Sequence, residues 1–280
     1  MKYGFNLLLW TGHVTDQHFP IFKALKKTGY DGVELPLFEG TPDHYARLGE
    51  HLQKLELGVT AVSVLGAGHN SLSPDKAQRK AAVERAKWAV DCTAALGATI
   101  LAGPMHSELG YFSGTGATAQ ERKHGLSFHR AVGDYAAKKN VRLAVETLNR
   151  FECYFLNTMA QLADHLDEVD HPHIKAMYDT FHANIEEKDP VAAIKTIKRH
   201  LIHVHISEND RGTPGKGQVP WDATYKALKS AKYDGWMTIE AFGRAIPALA
   251  AATRVWRDFF PNKEEVYKFG LKHMRKGMAT

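Results

Sequence analysis

Eight short apolar runs recur along the chain at intervals of roughly thirty residues, and most are followed by a segment of helical length. The runs are Tyr3–Trp10, Gly32–Phe38, Gly58–Gly66, Thr99–Met105, Arg142–Asn149, Ile174–Thr180, Leu201–Ser207 and Trp236–Phe242. Each is rich in β-branched or aromatic residues, as strands are. Between them lie amphipathic segments. Asp16–Gly29 stops at a glycine, and Ser73–Leu96 opens on Ser73-Pro74-Asp75, a cap followed by a proline suited to the first helical turn. Thr158–Val169 and Pro190–His200 read the same way. Strands alternating with helices imply a parallel α/β fold. Eight such units in 280 residues match a (β/α)8 TIM barrel, which typically takes about 250 residues. The competitor, a doubly wound open sheet, calls for a glycine-rich phosphate loop after the first strand. Leu9-Trp10-Thr11-Gly12-His13 stands there instead. We expect a single TIM-barrel domain over residues 1–280, with a basic C-terminal helical extension over 262–280.

Composition narrows the function. With 44% hydrophobic and 24% charged residues, disorder, collagen and coiled coil are excluded. No apolar run reaches the about 18 residues of a membrane span, and Phe5 to Trp10 is too short for a signal-peptide core. The two cysteines, Cys92 and Cys153, are expected as reduced thiols in a cytoplasmic protein. The net charge is +5, but the segment from Asn262 onward carries five basic residues against two acidic ones, leaving +3 of it in that tail. A nearly neutral body argues against nucleic acid as a partner. Sixteen histidines direct attention to metal binding and acid–base chemistry.

In a barrel of this kind the active site lies at the C-terminal ends of the strands. The fifth run reads Leu143-Ala-Val-Glu146, the sixth Ala176-Met-Tyr-Asp179, the seventh His203-Val-His205 and the eighth Met237-Thr-Ile-Glu240. Four consecutive strands each end on a potential metal ligand. Alternation turns Glu146, His205 and Glu240 inward, while Val145, Val204 and Ile239 face the helices. Three carboxylates converging in a barrel mouth repel one another unless a cation joins them. With one imidazole, the set suits Mn²⁺, Mg²⁺ or Co²⁺.

Other polar groups share that rim. Glu152, His182 and Arg211 sit on the loops after the fifth, sixth and seventh strands, where they can orient a hydroxylated ligand. Arg211–Gln218, with three glycines and a proline, reads either as a mobile lid or as a long surface loop. His69 and His106 follow the third and fourth strands and are either further ligands or structural histidines. Trp10 is either a pocket wall or core.

The chain resembles the sugar isomerase/epimerase family with the xylose-isomerase-like barrel, and within it the D-tagatose 3-epimerase / D-allulose (psicose) 3-epimerase group. Five stretches carry the resemblance: Glu146-Thr-Leu-Asn149-Arg150-Phe151-Glu152, Asp179-Thr180-Phe181-His182-Ala-Asn184-Ile185-Glu186-Glu187, His203-Val-His205-Ile-Ser-Glu208-Asn-Asp-Arg211-Gly212, Glu240-Ala-Phe242 and Val255-Trp256-Arg257-Asp258. It implies one divalent ion per subunit, Mn²⁺ before Co²⁺ or Mg²⁺, on Glu146, Asp179, His205 and Glu240. It further implies Glu146 and Glu240 as the acid–base pair, and Glu152, His182 and Arg211 as the residues that hold the carbonyl end of a ketose. A homodimer or homotetramer is also implied. The loops Gly66–His69 and Gly103–Glu108 depart from the group's pattern, and both help to define the pocket.

The expected reaction is interconversion of free ketoses at C3: D-fructose and D-allulose, D-tagatose and D-sorbose, or L-ribulose and L-xylulose. Removing the proton beside the C2 carbonyl gives a cis-enediolate, and a cation beside the two oxygens offsets its charge. Two carboxylates acting from opposite faces explain inversion. Three alternatives stand beside it. A 1,2-isomerase or dehydratase of the hydroxypyruvate isomerase or inosose dehydratase kind shares the enediol chemistry. An endonuclease IV-like DNA repair enzyme shares the barrel, but the seventh loop lacks the Asp-x-His pair a third zinc needs. A sugar-binding sensor would be expected to have lost one of the two glutamates.

Overall fold

The computed structural model describes residues 1–279. The eight apolar runs pair in chain order into one closed, all-parallel barrel, which confirms the (β/α)8 expectation. The strands are β1 (Lys2–Asn6), β2 (Gly32–Pro36), β3 (Gly58–Val62), β4 (Ile100–Gly103), β5 (Arg142–Val145), β6 (Ile174–Asp179), β7 (Leu201–Ile206) and β8 (Trp236–Ile239). Every one stops one to four residues before the C-terminal end read from the sequence. Those residues leave the ladder and build the mouth instead.

Ten α-helices lie among the described residues rather than eight: α1 (Phe19–Thr28), α2 (Pro42–Lys54), α3 (Lys76–Ala95), α4 (Ala119–Lys138), α5 (Met159–Val169), α6 (Thr180–Glu186), α7 (Pro190–Ile197), α8 (Trp221–Ser230), α9 (Pro247–Thr253) and α10 (Lys263–Ala279). The extra pair arises because two helices follow β6 and two follow β8. Local signals set most boundaries. Gly29 ends α1 at φ +108°, a conformation that costs a residue without Cβ little. The Thr158 hydroxyl and the Gln161 side chain cap the start of α5 reciprocally. At α3 the expectation needs correction. Asp75, not Ser73, is the cap, its carboxylate accepting from Ala77 N at 2.8 Å. The proline therefore precedes the cap rather than following it.

Apolar side chains on the outer strand faces and the inner helix faces form one large core. The basic C-terminal segment joins it. Helix α10 buries Val266, Leu271 and Met274, and a side chain at Gly270 would collide with Ile239 Cδ1. Tyr30 Oη donates to Tyr267 O at 2.7 Å, tying the end of α1 to α10. The barrel interior is different. There Asn6, Glu34 and Thr60, register neighbours on β1, β2 and β3, are buried beside His203 and His205.

Candidate active site

The ends of β5 to β8 bring Glu146, Asp179, His205 and Glu240 together. One ligand-type atom from each lies within 4.8 Å of all the others. All four side chains are buried. Asp179 has two tasks, one per oxygen. Its Oδ1 caps α6, accepting from Phe181 N at 2.6 Å and His182 N at 3.0 Å. Its Oδ2 has no hydrogen-bond partner and lies 3.6 Å from His205 Nδ1. His205 Nδ1, 3.4 Å from Glu240 Oε1, is likewise without a hydrogen bond. Buried polar atoms are rarely left so. Two such atoms facing each other among three carboxylates fit a hard divalent cation as the missing partner. This is a candidate metal site.

Charge is uneven across it. Burial, then the facing Glu240 and Asp179 carboxylates, push the Glu146 carboxyl well above the ordinary range. Burial acts the same way on Asp179, but the Arg211 guanidinium and the neighbouring imidazoles more than offset it and hold its carboxyl below the usual range. Glu240 is tied at both oxygens. Oε1 accepts from Asn6 Nδ2 at 3.2 Å, and Oε2 from Arg211 Nη1 at 2.7 Å. Glu146 instead has His182 Nε2 at 3.7 Å from Oε1.

Arg211, His182 and Glu152 meet at the same mouth. The Arg211 backbone is left-handed, at φ +64°. Its guanidinium lies 3.7 Å from the Phe181 ring centre and 4.7 Å from that of Phe242, which holds the plane of the fork. Nη2 sits 2.9 Å from His182 Nε2. Burial and this guanidinium pull the His182 ring down to about 4, so it is neutral near pH 7. Glu152 is partly exposed, and its Oε1 accepts from Asn149 Nδ2 at 2.8 Å.

A cavity of about 220 Å³ opens beside these groups. Its polar side is Glu146, Glu152, His182, Arg211 and Glu240. The rest is mostly carbon: Leu8, Phe38, Val62, Val64, Pro104 and Leu109 from segments at or just after the ends of β1 to β4, and Leu148, Phe242, Leu249 and Ala252 from those after β5 and β8.

Several alternatives resolve. The Arg211–Gln218 stretch is pinned at its base by Glu208. That buried carboxylate accepts from Gly215 N at 2.8 Å, Val219 N at 3.1 Å and Trp221 Nε1 at 2.8 Å. Trp10 packs on Phe5 and Tyr267, with ring centres 5.1 and 6.2 Å away, and is not part of the cavity wall. His69 and His106 stand outside the four-residue cluster. His106 is fully buried, with Nδ1 2.9 Å from Ser107 Oγ.

The sequence reading missed Glu34, Asn6 and Glu208. Glu34 is fully buried beneath the cluster, with Oε1 2.6 Å from His205 Nε2 and Oε2 2.8 Å from His203 Nε2. Burial alone would raise its carboxyl, but the two imidazoles outweigh burial and hold it far below the usual range. A signal was present. A charged residue inside the apolar run Gly-Val-Glu-Leu-Pro is seldom buried without a partner, and His203-x-His205 puts two candidate partners on one strand face.

An eight-stranded barrel with a carboxylate–imidazole cluster at its mouth defines a class, and the comparisons agree. The chain belongs to the xylose isomerase-like TIM barrel family, whose model matches residues 22–277. It is 31% identical to a probable ketose 3-epimerase of Synechocystis sp. over 280 residues, covering 100% of this chain and 98% of that protein. It is 32% identical to a ketose 3-epimerase of Arthrobacter globiformis over 270 residues, covering 95% and 93%. The crystal structure of a D-allulose 3-epimerase from Methylomonas sp. in complex with D-allulose superposes with a TM-score of 0.92, at 29% identity, over 99% of this chain and 96% of that one. Within the family the chain thus falls in the ketose 3-epimerase group, which makes it an isomerase-class enzyme.

Proposed function

We propose that this enzyme is a metal-dependent ketose 3-epimerase acting on free ketoses through a cis-enediolate. Glu146 and Glu240 exchange the C3 proton, and one divalent ion, Mn²⁺ first, is held by Glu146, Asp179, His205 and Glu240. The observation that carries the reading is the convergence of these four side chains at the ends of β5 to β8. A bound ion would supply positive charge against the negative charge that develops beside the carbonyl.

The chain's own groups account for the rest. One carboxylate takes the C3 proton and the other returns a proton from the opposite face, which inverts the centre without turning the intermediate. Their surroundings differ in the way such a pair requires. Glu240 is charge-paired with Arg211. Glu146 is buried facing the Glu240 and Asp179 carboxylates, and a bound cation would offset that repulsion and keep it ionised. Arg211, His182 and Glu152 hold the carbonyl end of the ketose: Arg211 donates to its oxygens, His182 sets the guanidinium through the Nε2 that faces Nη2, and Glu152 accepts from a hydroxyl.

The cavity supports free rather than phosphorylated sugars. Arg211 is the one basic residue besides His182 among those lining it, and it already faces Glu240. A carbon wall remote from the carbonyl also supports acceptance of both ketohexoses and ketopentoses. The exposed aromatic rings of Tyr111, Phe112 and Phe151 near the mouth support a homodimer or homotetramer, which light scattering measures directly. Two buried, unpaired cysteines support a reducing, cytoplasmic setting. No helix among the described residues is long and apolar enough to cross a membrane. No observation favours the endonuclease reading, since the relatives are named as sugar epimerases.

The test is epimer formation by purified protein stripped with EDTA and resupplied with Mn²⁺, Co²⁺ or Mg²⁺. The substrates are D-fructose, D-allulose, D-tagatose and L-ribulose. The expected result is a C3 epimer that appears only with metal. Formation of an aldose instead would assign 1,2-isomerisation, and no product from any free ketose would contradict the proposal.

A further inference from the structure

We infer that Glu34 is a positioning residue for the metal site, fixing His205 so that Nδ1 is the atom offered to the ion. The inference rests on the single-ion reading above. His205 can present either ring nitrogen, and which one carries the proton is decided by what the other touches. Here Nε2 lies 2.6 Å from Glu34 Oε1. A carboxylate at that distance takes the N–H, which leaves the Nδ1 lone pair pointing at Asp179 Oδ2 and Glu240 Oε1, 3.6 and 3.4 Å away.

Glu34 is itself held from three strands. Oε1 accepts from Asn6 Nδ2 at 3.0 Å, and Oε2 accepts from Thr60 Oγ1 at 2.8 Å and lies 2.8 Å from His203 Nε2. The same Asn6 amide reaches Glu240 Oε1 at 3.2 Å. One buried amide thus links the positioning carboxylate to a second residue of the cluster.

Glu34, His203 and His205 could also be read as a second ion site, since their ligand-type atoms lie within 4.8 Å of one another. The contacts argue otherwise. Both Glu34 oxygens are already engaged by groups that bring hydrogen, and an amide and a hydroxyl do not give way to a cation as water does. An ion there would also need His205 Nε2 without its proton, the opposite of what the four-residue cluster needs. The arrangement is the carboxylate–histidine–metal relay in which an outer group orients an inner ligand.

The test is Mn²⁺ binding to metal-stripped protein, read by the electron paramagnetic resonance of free Mn²⁺, with no substrate present. The native chain is expected to bind one ion. Glu34→Gln, which keeps the shape but not the charge, is expected to lose about 10- to 100-fold in Mn²⁺ affinity while its circular dichroism and melting stay native-like. Thr60→Val touches the network only through Glu34 and is expected to lose less, a few-fold; it decides the matter if Glu34→Gln does not fold. Native affinity in folded Glu34→Gln, or in Thr60→Val where it alone folds, would overturn the inference. So would a second Mn²⁺ in the native chain that disappears in His203→Gln. A native chain that binds no Mn²⁺ would instead bring down the single-ion reading itself.

Discussion

The two halves of the barrel are built alike and used differently. Strands β5 to β8 end on Glu146, Asp179, His205 and Glu240, and their loops add Glu152, His182 and Arg211. Strands β1 to β4 lead into Leu8, Phe38, Val62, Val64, Pro104 and Leu109, which face the same cavity with carbon. One half carries all the charge at the cavity, together with apolar Leu148, Phe242, Leu249 and Ala252, and the other lines the cavity with carbon alone and excludes water beside the charged groups. Excluding water strengthens each electrostatic interaction in the charged half. The first half contributes a carboxylate too, but Glu34 acts from inside the barrel, below the cavity floor, rather than from the mouth.

If this division is right, the largest effect belongs to the charged half. Glu146→Gln or Glu240→Gln is expected to lower kcat by more than about 10³-fold with the fold retained by circular dichroism. Most of the activity surviving in either would end the two-carboxylate assignment.

The next effect belongs to the buried histidines that stand outside the cluster. Behind β4, His106, His129 and His165 are buried and neutral. Burial pulls His106 to about 3 and His165 to about 4, and pushes His129 well below its usual value. These rings are protonated in the unfolded chain below about pH 6.5 but resist protonation in the folded one. The stability they contribute is therefore complete above pH 6.5 and falls as pH drops toward 4. His165 alone accounts for roughly 2–3 kcal/mol at pH 4.5. Urea unfolding of metal-stripped protein at pH 7 and pH 4.5 should show the loss, and His165→Gln should lose less. Equal losses would deny these rings their structural role.

A smaller effect is expected at Arg211. Lysine cannot stack between Phe181 and Phe242 while also reaching Glu240 and His182. Arg211→Lys should lower kcat/KM about tenfold, with Mn²⁺ affinity near native. A change in affinity alone would move Arg211 from substrate to metal. The smallest effect belongs to the carbon wall. Val62→Thr keeps the shape and adds a hydroxyl, so kcat/KM for a ketohexose should change less than about threefold. A tenfold change would show that this wall reads hydroxyl groups and would break the contrast between the halves.

The sequence exposed the two halves unequally. Strand number and order were legible because parallel strands covered on both faces read as apolar runs. Their ends were not, because Leu65, Met105 and Leu148 prolong the apolar pattern after the ladder stops. The ligand-type residues of β5 to β8 stood out because charge at four successive strand ends is unusual. The wall of β1 to β4 did not, since Val62 or Leu8 in a cavity has the same chemistry as Val33 in the core. Glu34 and Glu208 were hidden for a further reason. Each acts on residues remote in the chain, His205 and Trp221 among them, and only folding brings those partners within 3 Å.

The central claim is that the β5–β8 cluster holds one ion and exchanges the proton at C3. Its most direct test is NMR of D-fructose and D-allulose with the enzyme and Mn²⁺ in D₂O, repeated with EDTA. The account predicts deuterium at C3, together with the epimer, and neither when EDTA is present. Epimer without deuterium at C3, or exchange undiminished by EDTA, would contradict it.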